Sequence, residues 1–576
     1  MADEKNYKAW PKGRPKSLDY PEIPVYQILN STVAKHPDRV AIRFAGIELT
    51  YQEFLNLSHK FAHALKARGV KKGDRVGIHL PNCPQFAIAY YAIIKLGAIF
   101  VPFSPLGGER ELEYQMNDCG CETFITLDLI MAPVLNIYKK TKVKNLIVVS
   151  LADTYPPVTA PVKALKKSPV ETGEDYQVLL EEGSTDPINV EVNPKEDIAH
   201  LSYTGGTTGL SKGVMITHMN VVANVMHTIH WFAGGTVKYK DDILNLDFSL
   251  VEKELTEEDD PPLKEGLTAL VVVPWFHAMG TIGYLNSMVY GSNTLIVFPR
   301  FDATEYIRAV EKYNADLMGG APQLYIPLVQ HPEFKKVDMS NIKLAVSGAA
   351  PLPVHVLNQM LDAFSGIVCE SYGMTEITMM GITNPPSRKA LKPGSVGIPV
   401  FDTYVKVIDL TTGEPLGPGK EGEICMKGPQ VMKGYWEKPE ETKMVLIDGW
   451  VHSGDIGYYD EDGYFYITDR KKDMVIYKGH NVYPRELEEI IFEHPKVAHC
   501  AVVGKKDEKG GEIPVAFIQL KPDTEATPDE IMGFVNEKIA QYKYVREVHF
   551  IDEIPVSGAG KVLKRVLRDR LEQEED

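Results

Sequence analysis

The chain has 576 residues, of which 44% are hydrophobic and 24% are charged, so it is a globular protein long enough to bury several cores. Its 62 Lys and Arg residues against 78 Asp and Glu residues give a net charge of −16, which argues against nucleic acid as a partner. The 6 cysteines are too few and too scattered for a disulfide framework. The sequence has neither a signal-peptide core nor a membrane-spanning stretch, so we expect a cytoplasmic protein without an integral membrane segment, and contact with a membrane surface stays open.

Helix and strand patterns alternate in the first third of the chain. Thr50 and Glu53 form a capping-box pattern before an apolar helix. Residues 75–80 then have the pattern of a strand, residues 84–96 that of an apolar helix, and residues 99–101 that of a second strand. This β-α-β succession predicts a parallel sheet that is covered by helices on both faces, which places the chain in the α/β class.

Three later strands are predicted to end at Val273, Val346 and Cys369, and each precedes a loop rich in Gly, Pro, His or Ser. Ligands of open α/β sheets bind beyond the carboxyl ends of the strands, so these loops are candidate walls of a binding site. Before the first of them, residues 238–264 are acidic and rich in turn-forming residues. We expect this segment to be a solvated surface insertion.

The pattern changes again towards the C-terminus. Residues 395–469 contain short alternating strands with tight turns, which predicts a β-rich subdomain. After Lys472 the chain returns to a compact α+β pattern, in which Thr527 is a predicted helix cap. We therefore predict a large N-terminal domain over residues 1–471 and a small C-terminal domain over residues 472–576, which is long enough to fold independently.

The strongest local signal is a glycine-rich loop at residues 203–213, with the sequence Tyr-Thr-Gly-Gly-Thr-Thr-Gly-Leu-Ser-Lys-Gly. Glycines let backbone N–H groups converge on one point, while the threonine hydroxyls and the lysine add donors and a positive charge for a phosphate group. The spacing is neither that of a Walker A loop nor that of the Gly-x-Gly-x-x-Gly fingerprint, which weakens kinase and GTPase interpretations. The predicted phosphate ligands are Thr204, Gly205, Gly206, Thr207, Thr208, Gly209 and Lys212.

This loop resembles the phosphate-binding loop of the adenylate-forming superfamily, which includes acyl-CoA synthetases, peptide-synthetase adenylation domains and firefly luciferase. It is most similar to the loop of long-chain fatty-acid–CoA ligases. Other motifs of the superfamily follow in family order, so the resemblance covers nearly the whole chain. They are Pro-Trp-Phe-His at 274–277, Ser-Gly-Ala-Ala-Pro at 347–351, Glu-Ser-Tyr-Gly-Met-Thr-Glu at 370–376, Ser-Gly-Asp at 453–455, Asp-Arg-Lys-Lys-Asp at 469–473 and Gly-Ala-Gly-Lys at 558–561.

The resemblance implies a large N-terminal domain of stacked α/β subdomains with a small β-barrel, followed by a small, mobile α+β C-terminal domain. It implies activation of a carboxylic acid, expected to be a long-chain fatty acid, by Mg²⁺-ATP to an acyl-adenylate, and then thioester formation with coenzyme A. An aromatic acid such as a hydroxycinnamate is an alternative substrate, and a luciferase-like oxidative reaction is an alternative activity. A catalytically inactive nucleotide-binding protein is disfavoured, because Lys212, Glu376 and Lys561 are all present.

The resemblance also implies the residues of the reaction site. Lys561 is the expected adenylation lysine, which contacts the carboxylate and the α-phosphate, and His277 is expected between the acyl pocket and the phosphates. Catalysis is further assigned to Thr204, Lys212 and Glu376, and Thr204 and Glu376 are the expected Mg²⁺ ligands because their oxygens are hard ligands.

The remaining implied residues bind the nucleotide and coenzyme A. The ring of Tyr372 is expected against adenine, and Lys472 is the expected hinge about which the small domain rotates. One departure is Ile476, where some relatives carry a lysine. The predicted nucleotide and coenzyme A residues are Gly348, Ala349, Glu370, Ser371, Tyr372, Gly373, Met374, Thr375, Asp455 and Arg470, followed by Lys478, Gly479 and His480.

Overall fold

The structure is a computed structural model that describes most of the chain. The described residues are 7–153, 167, 170–188, 190–204, 211–256, 259–478, 480–507, 511–556 and 562–575. They group into two compact units. The first comprises the described residues up to 204 together with 211–404 and 426–451, and the second comprises residues 405–425 and 452–575.

The described residues contain 16 α-helices. They are α1 Tyr26–Lys35, α2 Tyr51–Ala67, α3 Pro84–Lys95, α4 Glu109–Cys119, α5 Ala132–Ile137, α6 Tyr176–Glu182, α7 His218–Ala233, α8 Ser249–Glu254, α9 Ser287–Tyr290, α10 Ala303–Tyr313, α11 Pro322–Gln330, α12 Val354–Ala363, α13 Pro439–Val445, α14 Pro484–Phe492, α15 Pro528–Asn536 and α16 Lys564–Glu575. Over the same residues, no helix combines the length and the apolar character needed to cross a lipid bilayer.

The described residues also contain 29 strands. They are β1 Val40–Phe44, β2 Ile47–Thr50, β3 Arg75–His79, β4 Ile99–Pro102, β5 Thr123–Leu127, β6 Asn145–Val149, β7 Glu174–Asp175, β8 Ile198–Thr204, β9 Lys212–Thr217, β10 Thr236–Lys240, β11 Ile243–Asp247, β12 Thr268–Val271, β13 Thr294–Val297, β14 Leu317–Gly320, β15 Leu344–Ser347, β16 Ile367–Tyr372, β17 Ile382–Thr383, β18 Ile398–Pro399, β19 Tyr404–Ile408, β20 Gly422–Lys427, β21 Gly434–Tyr435, β22 Leu446–Ile447, β23 Trp450–Tyr459, β24 Phe465–Arg470, β25 Val475–Tyr477, β26 His480–Val482, β27 Val497–Asp507, β28 Gly511–Leu520 and β29 Glu547–Phe550.

An eight-stranded sheet in the first unit has the order β21-β9-β8-β4-β3-β5-β6-β7. The predicted β-α-β succession is confirmed, because β3, α3 and β4 follow one another and β3 pairs parallel with β4. The predicted capping box is also confirmed at the start of α2, where the side chain of Thr50 accepts from the backbone N–H of Glu53. Local hydrogen bonding and apolar periodicity therefore place these elements as the sequence predicts.

A nine-stranded sheet in the first unit has the order β18-β17-β16-β15-β14-β12-β13-β1-β2. Its central strands β12, β14, β15 and β16 are parallel neighbours, so the three loops predicted as walls of a site leave the same edge of one sheet. The strand ends differ from the predicted ones, because β12 ends at Val271 and β15 at Ser347, and β16 continues to Tyr372 rather than ending at Cys369. Ser371 and Tyr372 pair there with Thr383 and Ile382 of β17, which extends the strand.

The acidic segment 238–264 is more structured than expected. It contains most of the hairpin β10–β11 and the helix α8. Leu244 and Val251 are buried, and the backbone N–H of Leu244 donates to Ser31 Oγ of α1 at 3.0 Å. The expectation of a wholly solvated insertion is therefore wrong for these residues, because two apolar side chains within an acidic run suffice to fix it to the core.

The segment predicted as a β-rich subdomain, residues 395–469, contains the strands β18 to β24. The predicted turn between β23 and β24 is confirmed, with Gly463 at a φ of +87° between antiparallel strands. In the second unit, β25 to β29 form a five-stranded sheet, against which α14 and α15 bury Leu487, Ile491 and Ile531. The predicted cap of α15 is also present, since Thr527 accepts from the N–H of Glu530.

Candidate functional site

The two ends of the glycine-rich loop face each other in the first unit. Thr204 is the last residue of β8 and Lys212 is the first residue of β9, and the two are opposite partners in an antiparallel pair. Five predicted phosphate ligands between them, Gly205, Gly206, Thr207, Thr208 and Gly209, lie outside the described residues. The hairpin therefore brings together the hydroxyl and the ammonium group that bracket the predicted phosphate loop.

Helix α4 fixes both ends of this loop. Tyr203 donates its hydroxyl to Asp118 Oδ2 at 2.6 Å, and Tyr114 donates its hydroxyl to the carbonyl of Ser211 at 2.9 Å. Tyr114 and Asp118 lie one turn apart on the same face of α4. Lys438 Nζ lies 3.3 Å from Asp118 Oδ1 and balances its charge. Tyr114, Asp118 and Lys438 were not predicted as site residues, because nothing in the sequence around them marks them.

Lys212 is held at the side of the hairpin by two contacts. Its ammonium group pairs with the carboxylate of Glu441 on α13, and each of the two side chains is about one-third exposed. Its Nζ also lies 5.1 Å from the centroid of the Tyr435 ring. A cation over an aromatic face is stabilised by the ring quadrupole, so both contacts restrict where the ammonium group can lie.

Glu376 is the last residue of the motif 370–376 and lies in a tight turn, the 3₁₀ helix Thr375–Ile377. The residue is only 7% exposed, and Tyr435 donates its hydroxyl to Glu376 Oε1 at 2.8 Å. The turn ends at Thr378, whose φ is +68° and whose hydroxyl donates to the carbonyl of Gln430 at 2.7 Å. Burial and the neighbouring Glu376 carboxylate raise the pKa of the Tyr435 hydroxyl, which therefore stays protonated as a donor.

The donor chemistry of Glu376 and Thr204 fits the implied magnesium ion. Mg²⁺ takes hard oxygen ligands, and sites that act on ATP supply one or two carboxylates while the phosphates supply further oxygens. Glu376 provides a buried carboxylate of which one oxygen accepts from Tyr435. Thr204 provides a hydroxyl at the start of the phosphate loop. These two residues would hold the ion.

Two of the motifs predicted to bind the nucleotide are adjacent in the nine-stranded sheet. Ser347 of β15 pairs with Glu370 of β16, so the residues that follow each strand leave the sheet side by side. A Cβ added to Gly348 would lie 3.5 Å from the carbonyl oxygen of Ser371. Ala349 has a φ of +67°, which is strained for a residue with a side chain and fixes the direction of this loop.

Glu370 and Gly373 have structural contacts of their own. Glu370 is 4% exposed, and its Oε2 accepts from the backbone N–H of Leu352 at 3.2 Å, which ties the loop after β15 to β16. A Cβ at Gly373 would lie 1.7 Å from the carbonyl oxygen of Met379. The glycine therefore permits a close approach of two backbone segments, and its small size does not leave room for an acyl chain.

His277 follows β12 at the start of an unusual helix. The backbone N–H of Thr281 donates to the His277 carbonyl at 3.0 Å, and the N–H of Met279 lies 3.4 Å from its Nδ1. Residues Met279–Asn286 form a π-helix. This conformation is rare in proteins overall, and where it occurs it is often at a functional site. His277 thus lies at the carboxyl edge of the nine-stranded sheet, and its position between the acyl pocket and the phosphates stays a prediction.

Two of the predicted nucleotide residues, Asp455 and Arg470, lie together in the second unit. Asp455 of β23 pairs with Arg470 of β24 across the antiparallel strands, and Arg470 Nε lies 3.2 Å from Asp455 Oδ1. The backbone N–H of Asp455 donates to Ser453 Oγ at 3.0 Å, which fixes the turn that carries the carboxylate. The structure therefore brings these two predicted partners into contact.

Lys478 and His480 flank the turn between β25 and β26 in the second unit. Lys478 has a φ of +51° and an ammonium group 5.2 Å from the Tyr477 ring, and the ring of His480 lies 4.9 Å from that of Tyr542. Gly479 and Lys561 lie outside the described residues. Their predicted roles in thioester formation and adenylation stay predictions.

Comparison with known proteins gives the same class as these motifs. Residues 29–436 match the family model described as AMP-binding enzyme, and residues 486–561 match the AMP-binding enzyme C-terminal domain. The chain is 36% identical over 578 residues to a long-chain-fatty-acid–CoA ligase of Bacillus subtilis (strain 168), covering 98% of each chain. It is 33% identical over 534 residues to a feruloyl-CoA synthase of Amycolatopsis sp., covering 93% of this chain and 96% of the other.

Solved structures share the fold over almost the whole chain. ATP-bound MatB from Rhodopseudomonas palustris superposes with a TM-score of 0.80 at 25% identity, covering 96% of this chain and 100% of the other. The anthranilate CoA ligase AuaEII in complex with anthranoyl-AMP superposes with a TM-score of 0.83 at 23% identity, covering 96% and 98%. The protein has the adenylate-forming enzyme fold, with a large N-terminal and a small C-terminal domain.

The chain therefore belongs to the AMP-binding enzyme family, within the adenylate-forming superfamily. The two matched segments leave residues 437–485 between them. The predicted domain boundary at Lys472 falls in this interval and stays a prediction.

Proposed function

We propose that this protein is an AMP-forming acid–CoA ligase that converts a long-chain fatty acid, ATP and coenzyme A into acyl-CoA, AMP and pyrophosphate. The observation that carries the adenylation step is that Tyr435 contacts both Glu376 and Lys212. This one side chain thereby joins the predicted metal ligand to the lysine that is predicted to bind the phosphates. The full-length similarity to long-chain-fatty-acid–CoA ligases supports the choice of coenzyme A as acceptor and of a fatty acid as substrate.

The first half-reaction needs alignment and charge stabilisation rather than a base, because a carboxylate attacks phosphorus without losing a proton. The acid oxygen bonds to the α-phosphorus, and the bond from that phosphorus to the bridging oxygen of pyrophosphate breaks. Lys212 and the loop of residues 204–209 hold the phosphates, and Tyr372 lies against the adenine. Lys561 neutralises charge on the attacking carboxylate and the α-phosphate. Mg²⁺, when bound, neutralises charge on the ATP phosphates.

The second half-reaction forms the thioester. The coenzyme A thiol gives up its proton as its sulfur bonds to the acyl carbon, the bond from that carbon to the phosphate oxygen breaks, and AMP leaves. Asp455 and Arg470 retain the ribose through their paired side chains. Lys478, Gly479 and His480 line the path of the thiol after the small domain has rotated about Lys472.

We place the acyl pocket beside the π-helix that follows His277. The side chain of Met279 lies 3.5 Å from the position of a Cβ at Gly348, and Met379 Sδ lies 3.0 Å from that of a Cβ at Gly283. The Tyr284 hydroxyl occupies the space in which Gly319 would carry a side chain. Methionines adapt to apolar chains of different shape, which supports a fatty acid as the substrate.

An aromatic acid is the second candidate substrate. The observation that favours it is the 33% identity to feruloyl-CoA synthase over 93% of the chain. Tyr284, which is 6% exposed in the wall of the proposed pocket, offers a flat surface against which an aromatic ring can pack. Oxidative chemistry of the luciferase type has no such support. A cytoplasmic location and the absence of a nucleic-acid partner belong to this proposal as well.

The proposal is tested by measuring pyrophosphate release with fatty acids of increasing chain length and with hydroxycinnamates, each with and without coenzyme A. A long-chain fatty-acid–CoA ligase gives the highest kcat/KM with long fatty acids and forms acyl-CoA only when the thiol is present. A preference for hydroxycinnamates establishes the second candidate. If neither fatty acids nor hydroxycinnamates cause pyrophosphate release, both assignments are contradicted.

Lys212→Ala tests the position of the phosphates in the same assay. Loss of the cation should lower ATP-dependent adenylation at least tenfold, the effect of about 1.4 kcal/mol of transition-state stabilisation. Lys443→Ala is the control, because Lys443 lies on α13 beside Glu441 and pairs with the exposed Glu440 instead. Adenylation by Lys212→Ala at the rate of the control would show that the phosphates lie elsewhere.

A further inference from the structure

Tyr435 lies on a two-residue strand that connects distant parts of the first unit. It pairs with Val214 of β9, and the N–H of the next residue, Trp436, donates to the carbonyl of Gly213 at 2.8 Å. Tyr435 is 6% exposed. The backbone around it is thus fixed to the strand that begins with Lys212.

The same segment also holds the turn that carries Glu376. The N–H of Met432 donates to the Glu376 carbonyl at 2.9 Å, and the Thr378 hydroxyl donates to the Gln430 carbonyl. These two hydrogen bonds fix the turn but leave the side chain of Glu376 free to rotate about its own bonds. The hydrogen bond from Tyr435 to Oε1 is the contact that selects one carboxylate orientation.

One side chain therefore contacts the two groups of opposite charge that adenylation requires. The hydroxyl of Tyr435 donates to Glu376, and the face of its ring lies 5.1 Å below the Lys212 ammonium group. Such a hydrogen bond leaves the second carboxylate oxygen for another ligand and orients it.

We propose that Tyr435 is a positioning residue for magnesium-ATP: its hydroxyl orients the Glu376 carboxylate toward the metal, and its ring orients Lys212 toward the phosphates. The inference rests on the proposed adenylation function. It assigns the two halves of the side chain to two separate ligands, so they can be removed one at a time. Tyr435→Phe removes the hydroxyl and keeps the ring, whereas Tyr435→Leu removes both.

The experiment measures binding without turnover. Mn²⁺ is titrated into the full chain in the presence of α,β-methylene-ATP and the absence of acid and coenzyme A, and free Mn²⁺ is followed by electron paramagnetic resonance. Binding of α,β-methylene-ATP alone is measured by calorimetry without metal. Tyr51→Phe is the control, because it removes another buried tyrosine hydroxyl, which donates to the Asn293 carbonyl at 2.6 Å outside the proposed site.

We expect Tyr435→Phe to weaken Mn²⁺ binding about tenfold and to leave metal-free nucleotide binding unchanged, as losing a partner of a metal ligand does. Tyr435→Leu should weaken both. Mn²⁺ affinity of Tyr435→Phe equal to that of Tyr51→Phe overturns the inference, as does an equal loss of metal-free nucleotide binding, which indicates a merely structural role. If the unaltered protein binds neither α,β-methylene-ATP nor its Mn²⁺ complex, the proposed function itself fails.

Discussion

Lys95, the last residue of α3, should make the stability of the first unit depend on pH. It is 2% exposed, and its ammonium group donates to Asn30 Oδ1 at 2.8 Å and lies 5.3 Å from the Tyr26 ring. Burial lowers the pKa of Lys95 from 10.5 to about 7. The unfolded chain therefore binds more protons than the folded one between these values, and stability rises with pH across this window. From pH 7 to pH 9 the gain is about 2 kcal/mol.

The test is urea unfolding at pH 7 and pH 9 of the unaltered protein, Lys95→Met and Lys66→Met. Lys66 is exposed near the end of α2 and serves as the control. The stability difference between the unaltered protein and Lys95→Met should change by about 2 kcal/mol between the two pH values, because Lys95→Met lacks the buried lysine that titrates. His59, whose pKa is lowered to about 4 mainly by burial and also by Lys95, stays neutral throughout this range. An identical pH dependence in all three proteins would refute the reasoning.

The guanidinium of Arg14 is buried and donates to two carbonyls at the end of α7. Arg14→Ala should therefore lower the free energy of unfolding by about 2 kcal/mol in denaturant titrations. The control Arg308→Ala, at an exposed position, should change it by less than about 0.5 kcal/mol. Gly373→Ala should abolish most adenylation, since its Cβ would overlap the Met379 carbonyl, while Gly348→Ala, with ordinary contacts, should stay active in pyrophosphate exchange. Among the described residues, the side-chain hydrogen bonds lost on deletion of residues 255–262 are exposed, and we expect exchange to continue in the folded variant.

The elements that the sequence predicts well are those whose signals are local. The capping box of α2 is formed by residues three apart, and the alternation of β3, α3 and β4 follows from apolar runs between turn formers. The acidic insertion shows the limit of composition. Its charged residues dominate the average, but the two buried side chains Leu244 and Val251 decide that it packs against the unit.

The contacts that complete the candidate site join residues far apart in the chain. Tyr435 lies 59 residues after Glu376, and Tyr114 lies 97 residues before Ser211. Neither tyrosine belongs to one of the sequence motifs, so nothing in the local sequence predicts the contact that it makes. Only the pairing of β21 with β9 and the approach of α4 to the hairpin bring them to the site.

The predicted hinge residue Lys472 precedes a segment that is tied to α16 by ion pairs within the second unit. Asp473, the residue after Lys472, lies 2.5 Å from the guanidinium of Arg568 on α16. Lys564 of the same helix pairs with Glu488 of α14 at 2.8 Å. Helix α16 begins three residues after Lys561. These ion pairs tie the chain just after the hinge to the helix that follows Lys561, so a rotation at Lys472 should move the lysine and the hinge exit together.

Separate assays of the two half-reactions test this alternation. Lys561→Ala should cripple acyl-adenylate formation but leave the reaction of supplied acyl-adenylate with coenzyme A nearly unchanged, because the lysine acts only before rotation. Gly479→Leu should do the reverse, since a bulky side chain obstructs the thiol without touching ATP. Lys472→Pro restricts the backbone at the hinge and should slow the overall reaction more than the first half. If Lys561→Ala slows both halves equally, the lysine serves both steps or is structural, and rotation about Lys472 does not separate them.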